Sequence, residues 1–266
     1  MPNSPAPRLA AFMDYDYEVD LLGDSAAAAV IRFVQPASSV LEIGAGSGAI
    51  ARHLAGTSKC RLTAVENNPT SVEKLQKLCD RVYTLDLNET QWPKKLIKSG
   101  KFDYVIAADV LEHIYDPWTV LQGMKTLLND TGSIILSLPH AGHSSVVANF
   151  YDGDIEYQEW GLLDKTHIRF FGLHNVEGLH ESAGLAIIRC HFVMKPPKQT
   201  EFADRWKALP SKVRKALGNR KFANIYQIVT EAVPIERAAN KITLASCLDQ
   251  IPTQSATRKF FSIFKK

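Results

Sequence analysis

Only four of the 266 residues are cysteine, and Cys60, Cys79, Cys190 and Cys247 lie too far apart to form a C-x-x-C pair. That pattern argues against a zinc ribbon or a disulfide scaffold and fits free thiols in a reducing compartment, so a cytoplasmic protein is expected. Long apolar runs are also missing: none approaches the ~18–20 residues needed to cross a bilayer. The start, Met1 to Leu9, is rich in proline, carries one arginine and has no apolar stretch behind it, which does not make a secretory signal. Nor is there much excess of one charge. Thirty-one Lys and Arg against 28 Asp and Glu leave +3, without the concentrated basic face of a nucleic-acid binder. There is no N/D-P-P-Y/F motif and no internal repeat. Apolar and charged fractions sit near globular averages.

What remains is an alternation of short apolar runs with helical patterns. An Ala-rich helix is expected around Ser25–Val34, ending before Pro36. Val40–Ile43, Leu62–Val65, Val82–Leu85, Phe102–Ala107 and Ser133–Leu138 read as strands, the fourth as one covered on both faces. Val72, Leu75 and Cys79 recur at helical spacing. Asp116-Pro117 reads as an N-cap followed by proline at the first helical position. This order predicts a doubly wound α/β fold with right-handed crossovers. Residues 140–172 break the pattern and read as an irregular insertion. A helix at His174–Ala183 and a strand at Leu185–Val193 follow. Residues 194–223 form a polar, basic, helical excursion before a last strand from Ile225. The expected division is a tail and helix over 1–37, a catalytic domain over 38–234 and a C-terminal tail over 235–266. The basic and aromatic end, Arg258 to Lys266, is a candidate for peripheral membrane contact as well as a plain frayed tail.

The most informative segment is Val40-Leu-Glu-Ile-Gly-Ala-Gly-Ser-Gly48, a strand that enters a turn with three glycines and then a helix. Glycine permits positive φ and lets a ligand lie against the backbone, and the helix start adds free N–H groups. Gly44, Gly46 and Ala49 also satisfy the dinucleotide fingerprint, so an NAD(P)-dependent oxidoreductase is an alternative. Glu42 tips the balance. A carboxylate two residues before the first glycine suits the ammonium of an amino-acid cofactor and would repel a diphosphate. Glu66, about twenty residues on, can accept two ribose hydroxyls, although NAD sites use the same device. Asp86 is a candidate for the adenine amino group. Asp109, at the end of the fourth strand, again marks the carboxyl edge of the sheet.

With LEIGAGSG (41–48), AVENNP around Glu66, LDLN around Asp86 and FDYVIAADVLEH (102–113) in this order, the chain resembles the class I S-adenosylmethionine (SAM)-dependent methyltransferases. The resemblance covers roughly 38–193, with a last strand near 224–233. It implies a Rossmann-like seven-stranded sheet, mainly parallel with its last strand antiparallel. It also implies SAM held by Glu42, Gly44, Gly46, Glu66, Asp86 and Asp109, with Ala45, Gly48, Asn67, Leu87 and Val110 lining the same crevice. SLPHAGH (137–143) and GLLDKTHIRFFGLHNVEGLHESAG (161–184) are similar to bacterial methyltransferases of glycan and O-antigen-type biosynthesis. There the segment after the fifth strand covers the acceptor. Relatives often carry Asn where this chain has His140.

Methyl transfer from a sulfonium is an in-line displacement, so the protein must chiefly align the acceptor. For a hydroxyl acceptor a base or a metal is wanted, and His167 and His113 are the candidate catalytic residues. His140 and His143 are weaker candidates. Asp109-x-x-Glu112-His113 also resembles the acidic-x-x-Glu-His arrangement of metal-using methyltransferases, with His167 or His143 to complete it, and carboxylate with imidazole suits Mg²⁺, Mn²⁺ or Zn²⁺. Metal-free relatives share these letters, and no metal is expected. Tyr15 and Tyr17 are candidates for a lid. The expected function is SAM-dependent methylation of a small-molecule or glycan acceptor, most simply on oxygen. A SAM-binding module without catalysis is the other alternative.

Overall fold

The computed structural model describes residues 17–250. Seven strands, β1 (Ser39–Ile43), β2 (Arg61–Val65), β3 (Arg81–Tyr83), β4 (Phe102–Ala108), β5 (Leu128–Pro139), β6 (Leu185–Met194) and β7 (Ile225–Pro234), form one sheet in the order β3-β2-β1-β4-β5-β7-β6. All neighbours are parallel except β7, which runs antiparallel to both β5 and β6. The order reverses between β1 and β4. The crevice at their carboxyl ends is where open α/β sheets bind ligands.

Ten helices accompany the strands among the described residues: α1 (Ala26–Phe33), α2 (Ala49–Gly56), α3 (Pro69–Leu75), α4 (Trp92–Lys95), α5 (Pro117–Thr126), α6 (Ser144–Phe150), α7 (Leu173–Ser182), α8 (Ala203–Ala208), α9 (Ser211–Gly218) and α10 (Leu244–Asp249). Short 3-10 turns fill gaps, one of them at Leu111–His113. Local chemistry explains the starts. Ser25 caps α1 by accepting from Ala28 N, and Asn68 and Asp116 do the same for α3 and α5, each followed by proline.

Successive residues of β1 point to opposite faces, and this builds two core layers. Leu41 and Ile43 join Val105, Leu121, Met124, Val176 and Leu179 under α5 and α7. Val40 joins Ala64, Ile106, Ile135, Ala28, Ala29 and Leu54 under α1 and α2. Each fully buried leucine or isoleucine contributes about 1.5–3 kcal/mol of apolar transfer. The alanines of α1 let that helix lie close to the sheet, and Arg32 is its one exposed position.

The expected fold is the observed one, with several shifts in detail. β3 covers Arg81–Tyr83 rather than Val82–Leu85. β5 begins at Leu128 rather than Ser133, because Leu128 already pairs with Phe102 ahead of a register shift to Tyr104 and Ser133. β7 continues to Pro234, paired on both sides. The insertion is not wholly irregular: it contains α6. It packs against the later excursion, with Val146, Leu162 and Leu163 meeting Phe202 and Tyr226 in a small separate core. Two stretches distant in sequence thus make one cover over the sheet edge. The tail expected beyond 235 contains α10. Cys247 on it is disulfide-bonded to Cys190 on β6, where the spacing pointed away from a disulfide scaffold and toward a reducing compartment. Sequence spacing could not reveal this, since the pair meets only because α10 folds back along the edge strand. Cys60 and Cys79 are free. Tyr15 and the basic-aromatic end lie outside the described residues. Among the described residues no helix is long and apolar enough to cross a membrane.

Candidate active site

At the switch between β1 and β4 the chain leaves the sheet through Gly44, Gly46 and Gly48, all at positive φ (62°, 53° and 84°). The three need glycine for different reasons. A Cβ on Gly44 would come 2.6 Å from Val110, while one on Gly46 would meet open space, so there the conformation alone selects glycine. Gly48 is the N-cap of α2 and brings no side-chain cap, which leaves the helix start bare. Glu66 at the end of β2 shapes the loop: its carboxylate accepts from Gly46 N, Asn67 N and Asn68 N, all at 2.8 Å.

Above this loop lies a cavity of about 240 Å³. Tyr17, Glu42, Gly44, Ala45 and Gly46 form one end. Glu112, His113, Asp164 and His167 form the other, with Asp109, Tyr226 and Gln227 between them. Glu42 faces the α1/α2 layer, where alternation along β1 places it beside alanines, and it is only 4% exposed. One of its carboxylate oxygens, Oε2, has no hydrogen-bond partner among the described residues. Burial, and then the nearby Glu66 carboxylate, push its pKa up to about 8. Alone, this carboxyl keeps its proton near neutral pH, and a cation placed beside it favours the ionised form. An amino-acid ammonium meets it, and the glycine backbone leaves room beside it. The cavity therefore fits an amino-acid sulfonium and disfavours a diphosphate.

Asp109 stands in the left-handed region at φ 54°, unusual for a non-glycine residue. Its carboxylate is fully engaged, accepting from Ser137 Oγ at 2.9 Å and Gln227 Nε2 at 2.7 Å. Tyr226 donates to Glu201 Oε2 at 3.0 Å, and the other oxygen of Glu201 accepts from Leu162 N at 2.5 Å. Gly161 has φ 96°, and a Cβ there would collide with the same carboxylate. Glu201 therefore pins the insertion to β7 just before Asp164 and His167. The main chain fastens it a second time, as Glu112 O accepts from Ile168 N and Arg169 N at 2.9 and 3.0 Å.

Of the residues picked out from sequence, the structure brings Glu42, Gly44, Ala45, Gly46, Asp109, His113 and His167 onto one cavity. Gly48, Glu66, Asn67, Asp86, Leu87 and Val110 do not line it. Val110 packs on Gly44, Leu87 is in the core, and Asp86 is an exposed loop carboxylate bonded to Asn88. His140 and His143 are structural instead. His140 is buried with Nδ1 against Ile225 O, and His143 caps α6 with Nε2 against Lys195 O. Burial lowers both to about 4. The same effect brings His167 to about 4, leaving it uncharged at neutral pH and a weak proton acceptor. This departs from the expectation of a base tuned near the working pH. Tyr17 lines the cavity and is half-exposed. Missed from sequence were Gln227, Tyr226 and Glu201. The first two flank the centre of the sheet only because β7 inserts beside β5, a pairing that no local pattern announces.

A family model described as a methyltransferase domain matches residues 17–189, more than half of the chain. A ubiquinone biosynthesis O-methyltransferase of Colwellia psychrerythraea is 31% identical over 100 residues, which is 37% of this chain; the match spans only 40% of that relative's length. A SAM-dependent methyltransferase from Archaeoglobus fulgidus superposes with TM-score 0.54 at 16% identity, covering 77% of this chain and 91% of the other. Coclaurine N-methyltransferase, bound to N-methylheliamine and S-adenosylhomocysteine (SAH), gives 0.53 at 14% identity, covering 78% and 70%. The [4+2]-cyclase SpnF gives 0.52 at 15%, covering 80% and 81%. At these identities the likeness is one of fold, and the last case shows that this fold also serves other reactions.

Proposed function

The chain belongs to the methyltransferase-domain family and takes its methyl group from SAM, and we propose that it delivers that group to a hydroxyl oxygen of a small-molecule or glycan acceptor. The observation that carries the placement is Glu42, a buried carboxylate with an unpartnered oxygen at the mouth of the glycine loop. It receives the cofactor ammonium. Gly44, Ala45 and Gly46 offer backbone alongside, and Glu66 keeps the loop open by accepting its N–H groups. For the adenosine end Asp86 stays our candidate on sequence grounds, although it stands on an exposed loop outside the cavity. When bound, SAM supplies an activated methyl on a sulfonium, and the protein contributes alignment.

The acceptor end is the group of Glu112, His113 and His167. The uncharged imidazole of His167 can accept from, or donate to, a hydroxyl placed at this end. The 140–172 insertion and the 194–223 excursion cover this end together and set what enters. The exposed rings of Tyr157, Trp160 and Phe170 on that cover offer flat faces to a sugar or other ring. The partial match to an O-methyltransferase supports oxygen as the acceptor atom.

Incubation with SAM carrying a labelled methyl, against a panel of hydroxylated and amino acceptors, tests this reading. Label on oxygen with release of SAH supports it. Label on nitrogen alone overturns the oxygen assignment, and SAH binding with no transfer across the panel favours a non-catalytic module. Calorimetric binding of NADH but not SAH would remove the whole assignment.

A further inference from the structure

We propose that the side-chain carbonyl oxygen of Gln227, turned into the cavity by Asp109, faces the methyl-bearing sulfonium of the bound cofactor. The inference rests on the methyl-transfer reading of the same cavity and adds a contact that reads the methyl group itself.

A glutamine side chain ends in a donor and an acceptor, and at a cavity wall these two ends favour opposite charges. Gln227 lines the cavity between the Glu42 end and the end formed by Glu112, His113 and His167. Its Nε2 donates to Asp109 Oδ2 at 2.7 Å. A carboxylate only accepts, so the amide cannot turn round without losing that bond. Asp109 is itself fixed twice by β5: its other oxygen accepts from Ser137 Oγ at 2.9 Å, and its N–H donates to the Ser137 carbonyl at 3.1 Å. The Gln227 side chain makes no other hydrogen bond among the described residues, which leaves Oε1 to the cavity. The backbone is equally fixed. β7 seats Gln227 opposite Pro139 at the carboxyl end of β5, and Pro139 lines the same cavity.

The length of the cofactor brings its sulfur to this place. With the ammonium at Glu42 on β1, four bonds separate that nitrogen from the sulfur, a reach of about 5 Å, close to one strand spacing. β4 is the neighbour of β1 on the side of β5 and β7, and Ala108 and Asp109 at its end line the cavity. The sulfonium thus comes over the end of β4, beside the amide that Asp109 holds. A carbonyl oxygen there favours the positive charge and accepts from the polarised C–H groups of the methyl. A free carboxylate in that position would be a nucleophile toward the same methyl, whereas an amide oxygen is a poor one. The two hydrogen bonds on Asp109 therefore keep its charge near the sulfonium and its lone pairs occupied. SAH, a neutral thioether, has neither the charge nor the methyl, so this contact separates cofactor from product.

Calorimetry on the whole protein, with SAM and SAH titrated separately, reads that difference. Gln227→Met keeps the length of the side chain and removes the oxygen. It should weaken SAM binding by about five- to thirtyfold while SAH affinity stays within about twofold. With SAM labelled by carbon-13 at the methyl, the bound methyl proton resonance should stand downfield in wild type and return toward its free position in the variant. Gln227→Leu serves if the first variant fails to fold. Equal loss of both ligands, two unchanged affinities, or tighter SAM binding in the variant overturns the contact and leaves the methyl-transfer reading standing. Wild type that binds neither SAM nor SAH removes that reading, and this one with it.

Discussion

Replacing Glu42 by glutamine should move two measurements in opposite directions. In the unliganded protein the carboxyl of Glu42 has its pKa raised from 4.5 to about 8 by burial and by Glu66. Between those values the folded protein retains a proton that the unfolded chain has released. This group's contribution to stability therefore falls as pH rises from about 4.5 to about 8. Glutamine removes that penalty, so the unliganded variant should melt higher than wild type at pH 8, and the gain should shrink toward pH 5. Cofactor binding behaves inversely. To meet an ammonium at pH 7, Glu42 must first release its proton, which costs about 1.4 kcal/mol for one unit of pKa. Wild-type SAH affinity should then rise about tenfold from pH 6 to pH 7 and flatten near pH 8. Binding at pH 7 should release close to one proton, visible as a calorimetric heat that depends on the buffer. The variant should lose the pH dependence and, with a charge-assisted hydrogen bond worth about 1.5–3 kcal/mol gone, bind SAH about 10- to 100-fold more weakly at pH 8. If Glu42→Gln keeps wild-type affinity and its pH profile, or melts lower at pH 8, the ammonium assignment is wrong.

Gly44→Ala forces a Cβ to within 2.6 Å of Val110 at a φ of 62° and should destabilise by about 1–3 kcal/mol, read by urea denaturation, with SAH affinity lost alongside; an unchanged midpoint would refute this. Glu66→Ala leaves three loop N–H groups without their acceptor and should weaken SAH binding by tenfold or more in calorimetry, and full retention would show that the loop holds itself open. Glu201→Ala unpins Leu162 N and the Tyr226 hydroxyl and should lower kcat while SAH affinity stays. Glu201→Gln should recover part of that loss, and equal damage in both, with a large drop in Tm, would mean a purely structural role.

Much of this was legible before any coordinates. Features written within a few residues of one another came through, because adjacency dictates them. Alternation along Val40–Ile43 separates two core layers. Asp116-Pro117 starts a helix. The glycines at 44, 46 and 48 bend the chain where only small residues can. Glu42 was legible for the same reason, as a carboxylate two residues before the first glycine of that turn. Less legible were the boundaries of β3, β5 and β7, since strand ends depend on the neighbour that supplies the hydrogen bonds. His140 and His143 read like site residues because a histidine's letter is the same whether its nitrogens face a carbonyl or a cavity.

The sequence by itself determined the order of elements, the turn at Gly44–Gly48 and the carboxylate poised beside it, because these follow from periodicity, φ preference and local charge. Only the tertiary structure decided which distant groups share a cavity. Folding brings His167 against Glu112, sets Gln227 on Asp109, pins the insertion with Glu201 and joins Cys190 to Cys247. These contacts join residues far apart along the chain, and they arise from the packing of β7 and the two covering segments, which no short-range pattern specifies.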